Sequence, residues 1–225
     1  GYGFVPLFLT LCLWLGSLVL FFVFDPFPSK NAERAGRFAA VFRRWPLYLI
    51  LVALNVAAVT IGAMISEVPG IANGDFILFL ACIGFSFFCI LLMLSLFDIP
   101  GKAVAVIFLI VQIACCSGTF PAVLGEGVTA DVSAFFPFTY AVDGIRECMS
   151  GTNPSIALSD AGVLLLFALI SVILSIILYP IALKLKRKRD EETIKALTAA
   201  PANQALRKRD ERNDVLDGAY TPLLP

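Results

Sequence analysis

The chain has 225 residues, 59% of them hydrophobic and only 15% charged, with a mean hydropathy of +0.89, which excludes an ordinary soluble domain. Lys and Arg together number 17 and so do Asp and Glu, and there is no histidine, so neither a basic nucleic-acid binder nor a histidine-rich metal site is indicated. The zero net charge hides a strongly uneven arrangement along the chain.

Five apolar runs free of Asp, Glu, Lys, Arg and His organise the sequence: Phe4–Phe24, Trp45–Ile65, Phe76–Phe97, Ala103–Leu124 and Ala161–Leu183. Each holds about 21–23 residues, enough for a helix to cross a ~30 Å hydrocarbon core. The first run lacks a basic leading segment and is too long for a cleavable signal peptide. An odd number of crossings puts the two ends of the chain on opposite faces. A first residue, Gly1, outside the membrane with no inserting segment before it reads as the C-terminal portion of a longer protein.

The first connection, after Asp25-Pro26-Phe27-Pro28, carries Lys30, Arg34, Arg37, Arg43 and Arg44. Ser29–Arg44 can form a short helix capped by Ser29, with Ala35, Phe38, Ala39 and Phe42 on one stripe and Lys30, Glu33, Arg34 and Arg37 largely off it. Such a helix would lie along the membrane surface with its basic side toward headgroups or a partner. A basic loop that only sets topology is the other reading of the same residues. The second connection, Ser66–Asp75, is an acidic turn, and Asp98-Ile99-Pro100-Gly101-Lys102 is a minimal turn that makes spans three and four antiparallel neighbours.

Gly118 and Pro121 weaken the end of the fourth run, because proline removes an intrahelical hydrogen bond. From Thr139, taken as a cap, a second helix can start with Ala141, Ile145 and Cys148 or Met149 on one face. Asp143 and Arg146, three apart, can pair on its polar side. The segment predicts two short helices dipping back into the outer leaflet, or alternatively an interfacial hairpin. Past Arg189 the composition turns polar and charged, which predicts no ordered element over Asp190–Pro225.

Sixteen of the seventeen Lys and Arg fall on one face under this count of crossings: five in the first connection, Lys102, and ten after Leu183. The opposite connections hold Arg146 beside Glu67, Asp75, Glu126, Asp131, Asp143, Glu147 and Asp160. The positive-inside rule therefore puts the C-terminus in the cytoplasm and Gly1 outside. Five of the six cysteines lie within apolar runs and read as small packing residues, leaving Cys148 without a partner outside them.

Ser117-Gly118-Thr119-Phe120-Pro121, the stretch Pro137-Phe138-Thr139-Tyr140-Ala141-Val142-Asp143-Gly144-Ile145-Arg146 and the closing Ser150-Gly151 together resemble the C-terminal membrane region of YhgE/Pip proteins. These are also called phage infection proteins and are related to ABC-2 type permeases. The opening, Pro6-Leu7-Phe8-Leu9 through Leu13-Trp14-Leu15-Gly16 to Phe24-Asp25-Pro26, is similar to the same family's second span. The likeness covers about residues 1–186. It implies an all-α bundle in a bacterial plasma membrane, with an earlier span and a long extracytoplasmic region ahead of Gly1. It also implies that Ser29–Arg44 is a coupling helix touching a nucleotide-binding subunit, with Arg34, Arg37, Phe38 and Phe42 as its contact residues. The outer pair of short helices would correspond to Thr119–Met149, whose motif residues here are Gly118, Thr119, Pro121, Pro137, Thr139, Tyr140, Asp143, Gly144 and Arg146.

Two functions fit. One is an export permease half that works as a homodimer or with a second permease subunit, surrounded by membrane lipids and driven by a separate ATPase. No GxxxxGK[ST] loop is present, so any ATP chemistry belongs to another chain, and no enzyme activity or cofactor is expected of this one. Uncharged spans suit a lipophilic or amphiphilic cargo rather than ion coupling, and Asn55 and Gln112, mid-span, read first as interhelical glue. The other is a non-transporting anchor for an extracytoplasmic receptor or secretion component.

Overall fold

The computed structural model describes residues 3–24, 45–116, 133–151 and 154–219, with side chains in the last stretch described over 155–197. Among the described residues all regular structure is helical: α1 Val5–Val23, α2 Trp45–Ile65, α3 Gly74–Ser95, α4 Ile99–Cys115, α5 Pro137–Ser150 and α6 Pro154–Ala219. Helices α1, α2, α3 and α6 are long and apolar enough to cross a membrane, and α4 is a shorter apolar helix. At 17 residues, α4 is about 25 Å long, near the lower limit for a crossing.

Two helices differ most from the spans expected, and α3 is shifted by two residues from Phe76–Phe97. The fourth run was expected over Ala103–Leu124, but its helix starts at Ile99 and ends at Cys115, with Cys116 extended. Pro100 lies in the first turn of α4, where a missing N–H costs nothing, so the Pro-Gly pair that reads as a turn instead opens the helix. The last helix, expected over Ala161–Leu183, starts at Pro154, and its backbone is helical to Ala219, across most of the tail expected to lack an ordered element. Ala, Leu, Glu, Lys, Arg and Gln fill that tail and all favour helix, and extending a formed helix needs no new nucleus.

The chain divides into two compact units, Gly1–Ala182 and Leu183–Pro225. In the first, α3 is the hub and packs against α1, α2, α4 and α5. Its buried positions run all round it and include Phe79, Leu80, Ile83, Ser86, Phe87, Phe88, Leu91 and Leu92. Such a helix must meet its neighbours through small and polar groups, since apolar area alone does not drive helices together in lipid. Gly84 lets Val56 of α2 approach so closely that a Cβ there would lie 2.7 Å from the valine methyl. Ser86 donates through Oγ to the Leu164 carbonyl at 2.8 Å, and the Cys82 thiol donates to the Ala161 carbonyl at 3.6 Å, tying α3 to α6. The contacts advance in the same direction along both helices, 82 to 86 and 161 to 164, so the two run parallel.

Asn55 of α2 donates through Nδ2 to the Leu13 carbonyl of α1 at 3.2 Å, in a slot that Gly16 leaves open. It is interhelical glue, as its mid-span position suggests. Thr10, Thr60 and Ser175 return their hydroxyls to carbonyls four residues back at 2.8 Å, which satisfies them without a partner helix. At the end of α1 that bears Val23, Lys102 of α4 lies over the Phe22 ring at 5.4 Å from its centroid. That contact puts the C-terminal end of α1 and the N-terminal end of α4 on one face, as alternating crossings require.

Candidate functional site

Helix α5 carries the described motif residues and the largest amphipathic contrast among the described helices. It begins at Pro137 with Phe136 as its N-cap and no side-chain capping bond, so Thr139 is not the cap expected of it. Proline at the first helical position supplies a preset φ instead. Thr139 lies inside the first turn and donates through Oγ1 to the Ser133 carbonyl at 2.9 Å, while the Tyr140 hydroxyl donates to the Ala134 carbonyl at 2.9 Å. Both side chains therefore pin the turn that feeds the helix. At the other end Gly151 takes the left-handed conformation, φ 65°, and its N–H donates to the Glu147 carbonyl at 2.9 Å.

One face of α5 is sealed: Phe138, Ala141, Val142 and Ile145 have no exposed surface. Its contacts fix how deep it goes. Gly70, in the α2–α3 turn with φ 77°, lies so near α5 that a Cβ there would be 2.8 Å from the Cys148 carbonyl oxygen. Gly144 lies against the Phe79 ring, and Phe138 stacks on Phe87 with centroids 5.9 Å apart and planes 10° apart. As α5 is followed backward from 148 to 144 to 138, its partners advance from 70 to 79 to 87. The helix therefore runs antiparallel beside α3, with Phe138 about 15 Å further along it than Cys148. Among the described residues α5 reaches into the bundle beside α3.

Its deep end enters an aromatic cluster. Trp14 of α1, with no exposed surface, meets Phe87 edge-on at 4.9 Å, Phe108 of α4 at 5.9 Å and Phe138 at 6.4 Å. Trp14 and Phe138 lie in the stretches that carry the family resemblance, but Phe87 and Phe108 belong to no motif. The available signal is positional, because membrane tryptophans favour the interfaces and Trp14 is mid-span. Around this cluster Trp14 Nε1, Ser17 Oγ and both amide atoms of Gln112 are buried without a hydrogen-bond partner. Gln112 stands one turn from Phe108 on the same helix face. Asn55 and Gln112 thus part company: one is bonded between helices, the other keeps a whole amide unmet.

The shallow end of α5 is polar and acidic. Arg146 Nη1 donates to Asp143 Oδ1 at 2.7 Å, with the two side chains 46% and 40% exposed, a pair worth about 0.5 kcal/mol at such a surface. Burial pushes the Cys148 thiol up to about 11, helped by the negative charges of Asp75, Glu147 and Asp160. The thiolate is the reactive form, so its alkylation rate should climb tenfold per pH unit through pH 10 without levelling. An ordinary thiol, titrating near 9, would level off sooner. Iodoacetamide labelling across pH, with the other five cysteines replaced by alanine, measures this; a plateau beginning near pH 9 contradicts it.

The surface-helix residues Arg34, Arg37, Phe38 and Phe42, and the motif residues Gly118, Thr119 and Pro121, lie outside the described residues. Of the remaining motif positions, Pro137, Thr139 and Tyr140 set the start of α5, Gly144 sets its contact with α3, and Asp143 and Arg146 form its exposed pair. Among the described residues no group of three or more Cys, Asp or Glu is placed to hold a metal ion.

Among known proteins the chain is similar to the uncharacterized protein YhgE of Bacillus subtilis (strain 168), with 29% identity over 195 residues. The match takes in 85% of this chain and 25% of YhgE, so the chain spans about a quarter of that relative's length. No family model matches the chain, and no solved structure matches it.

Proposed function

We propose that this chain is the membrane-spanning part of an export permease of the YhgE/Pip and ABC-2 kind, set in a bacterial cytoplasmic membrane with its C-terminus inside. The observation that carries the reading is the packing of α5 against α3 and Trp14, which fits a helix inserted half-way from one face. An element entering from one face only can move aside while the crossing helices stay in place, which is what release of a cargo to that face requires. Supporting it are the likeness to YhgE, the absence of ionisable side chains from the core of the spans, and the unmet hydrogen-bonding capacity of Gln112 and Trp14 at the foot of α5. Uncharged walls with a few unpaired polar groups suit an amphiphile that carries hydroxyl or amide groups.

Energy would come from an ATPase on another chain, docked on the basic connection between α1 and α2. Copurification from native membranes should recover an ATPase subunit with the wild-type protein. Arg34→Glu with Arg37→Glu should lose it while leaving membrane insertion unchanged. An ATPase retained by the double variant removes the coupling role, and no ATPase in either preparation removes the permease reading. A second reading, that the helices anchor a large extracytoplasmic region, has its own support: three quarters of YhgE lies beyond the similarity. Copurified secretion or surface components in place of an ATPase would favour it.

A further inference from the structure

The residues that follow the last apolar run contain five cations within six positions: Lys184, Lys186, Arg187, Lys188 and Arg189. In a loop their directions would be undefined, and in a surface-lying amphipathic helix they would share one side. Here they are part of a continuous helix, Pro154–Ala219. At about 100° per residue they fall at roughly 0°, 200°, 300°, 40° and 140° around its axis, leaving no sector wider than about 100° without a cation. The band is about 9 Å tall along the axis, comparable with one headgroup layer. Asp190, Glu191 and Glu192 follow at once and form an acidic ring one turn beyond. Lys184, Arg187 and Lys188 are exposed and Lys186 and Arg189 half-buried; Lys186, Arg187 and Arg189 also take part in interactions within the chain.

We propose that this collar is a binding site for anionic phospholipid headgroups, gripping the phosphates of the leaflet the helix leaves. A protein partner or a groove meets one side of a helix, whereas lipids meet it on all sides, and a full circle of charge matches the second geometry. Long Lys and Arg stems can reach the phosphate layer while their alkyl parts stay against lipid tails. The acidic ring sets the depth, since sinking the helix further would bring carboxylates among lipid phosphates. The collar is independent of the transport reading and holds whichever face the chain's C-terminus occupies.

The test uses the full chain reconstituted in bilayers of mixed phosphatidylcholine and phosphatidylglycerol, with a spin-labelled form of each lipid reporting the fraction held at the protein. Wild-type protein should prefer phosphatidylglycerol by at least about threefold. The preference should fall toward unity between about 0.01 M and about 1 M salt, as the screening length drops from about 30 Å to about 3 Å. Lys184→Gln, Lys186→Gln, Arg187→Gln, Lys188→Gln and Arg189→Gln together should abolish it, while exchanging Lys for Arg and Arg for Lys at the same positions should keep it. Equal affinity for the two lipids in wild type, a preference indifferent to salt, or an unchanged preference in the glutamine variant each overturns the proposal. The salt series on wild-type protein stands even if the glutamine variant inserts poorly.

Discussion

Gly101→Ala should destabilise the bundle by about 3 kcal/mol, the upper part of the range for overpacking a core. The cause is the three-residue connection between α3 and α4. Phe97 N–H donates to the Leu94 carbonyl at 3.1 Å, Asp98 N–H to the Ser95 carbonyl at 2.9 Å, and Asp98 itself adopts φ 59°, a left-handed value that a side chain rarely takes. This tight reversal brings the first turn of α4 onto the last turn of α3, so that a Cβ at Gly101 would occupy the position of the Leu94 carbonyl oxygen. A side chain can swing away from an intruder, but a backbone carbonyl held at a helix end cannot. Gly62 in α2 supplies the control, because nothing lies within 4 Å of a Cβ placed there. There alanine gains helix propensity, about 1 kcal/mol, and meets no neighbour. Thermal unfolding in detergent should move down for Gly101→Ala and stay level or rise for Gly62→Ala. Equal midpoints would mean that the α3–α4 turn is looser than its hydrogen bonds indicate.

The same turn shows what the sequence can and cannot reveal. Apolar length alone locates α1 and α2 almost to the residue, because a run that must cross ~30 Å of hydrocarbon ends where charges begin. It misplaces the start of α4, since Pro100 and Gly101 carry a turn signal and only the fold reveals that proline sits in the first turn. Which crossing helix is central is not legible at all. In water a buried face is apolar and an exposed one polar, but in lipid both are apolar, so the hydropathy of α3 and that of α6 look alike. The small and polar residues Gly16, Gly84, Ser86 and Asn55 mark the contacts, yet their partners lie tens of residues away. In α5 the start reads two residues late, at Thr139 rather than Pro137, while the apolar stripe and the Asp143–Arg146 spacing are visible in the sequence. The depth of the helix is not, because it depends on the meeting of Phe138 with Phe87 and of Gly144 with Phe79. Lipid-facing or buried, a phenylalanine reads the same.

Gly144→Leu should lift α5 off α3 and open the aromatic cluster beneath it. A Cβ at Gly144 already falls on the Phe79 ring, whose own surface is 5% exposed, so the ring has little room to turn away. A leucine adds three further carbons, and the helix must shift outward as a body because Phe138, Ala141, Val142 and Ile145 move with it. Phe138 then withdraws from Phe87 and from Trp14, and water gains a path toward Gln112, whose unbonded amide would take it up. With Trp45 replaced by phenylalanine, Trp14 is the sole tryptophan and reports this directly. Its quenching by acrylamide should rise several-fold in Gly144→Leu and less in Gly144→Ala, graded with the added volume. Export activity should fall in the same order if α5 is the part that moves during release. Trp14 quenching that does not change across the series would show that the helix is not wedged against α3 and does not serve as a gate.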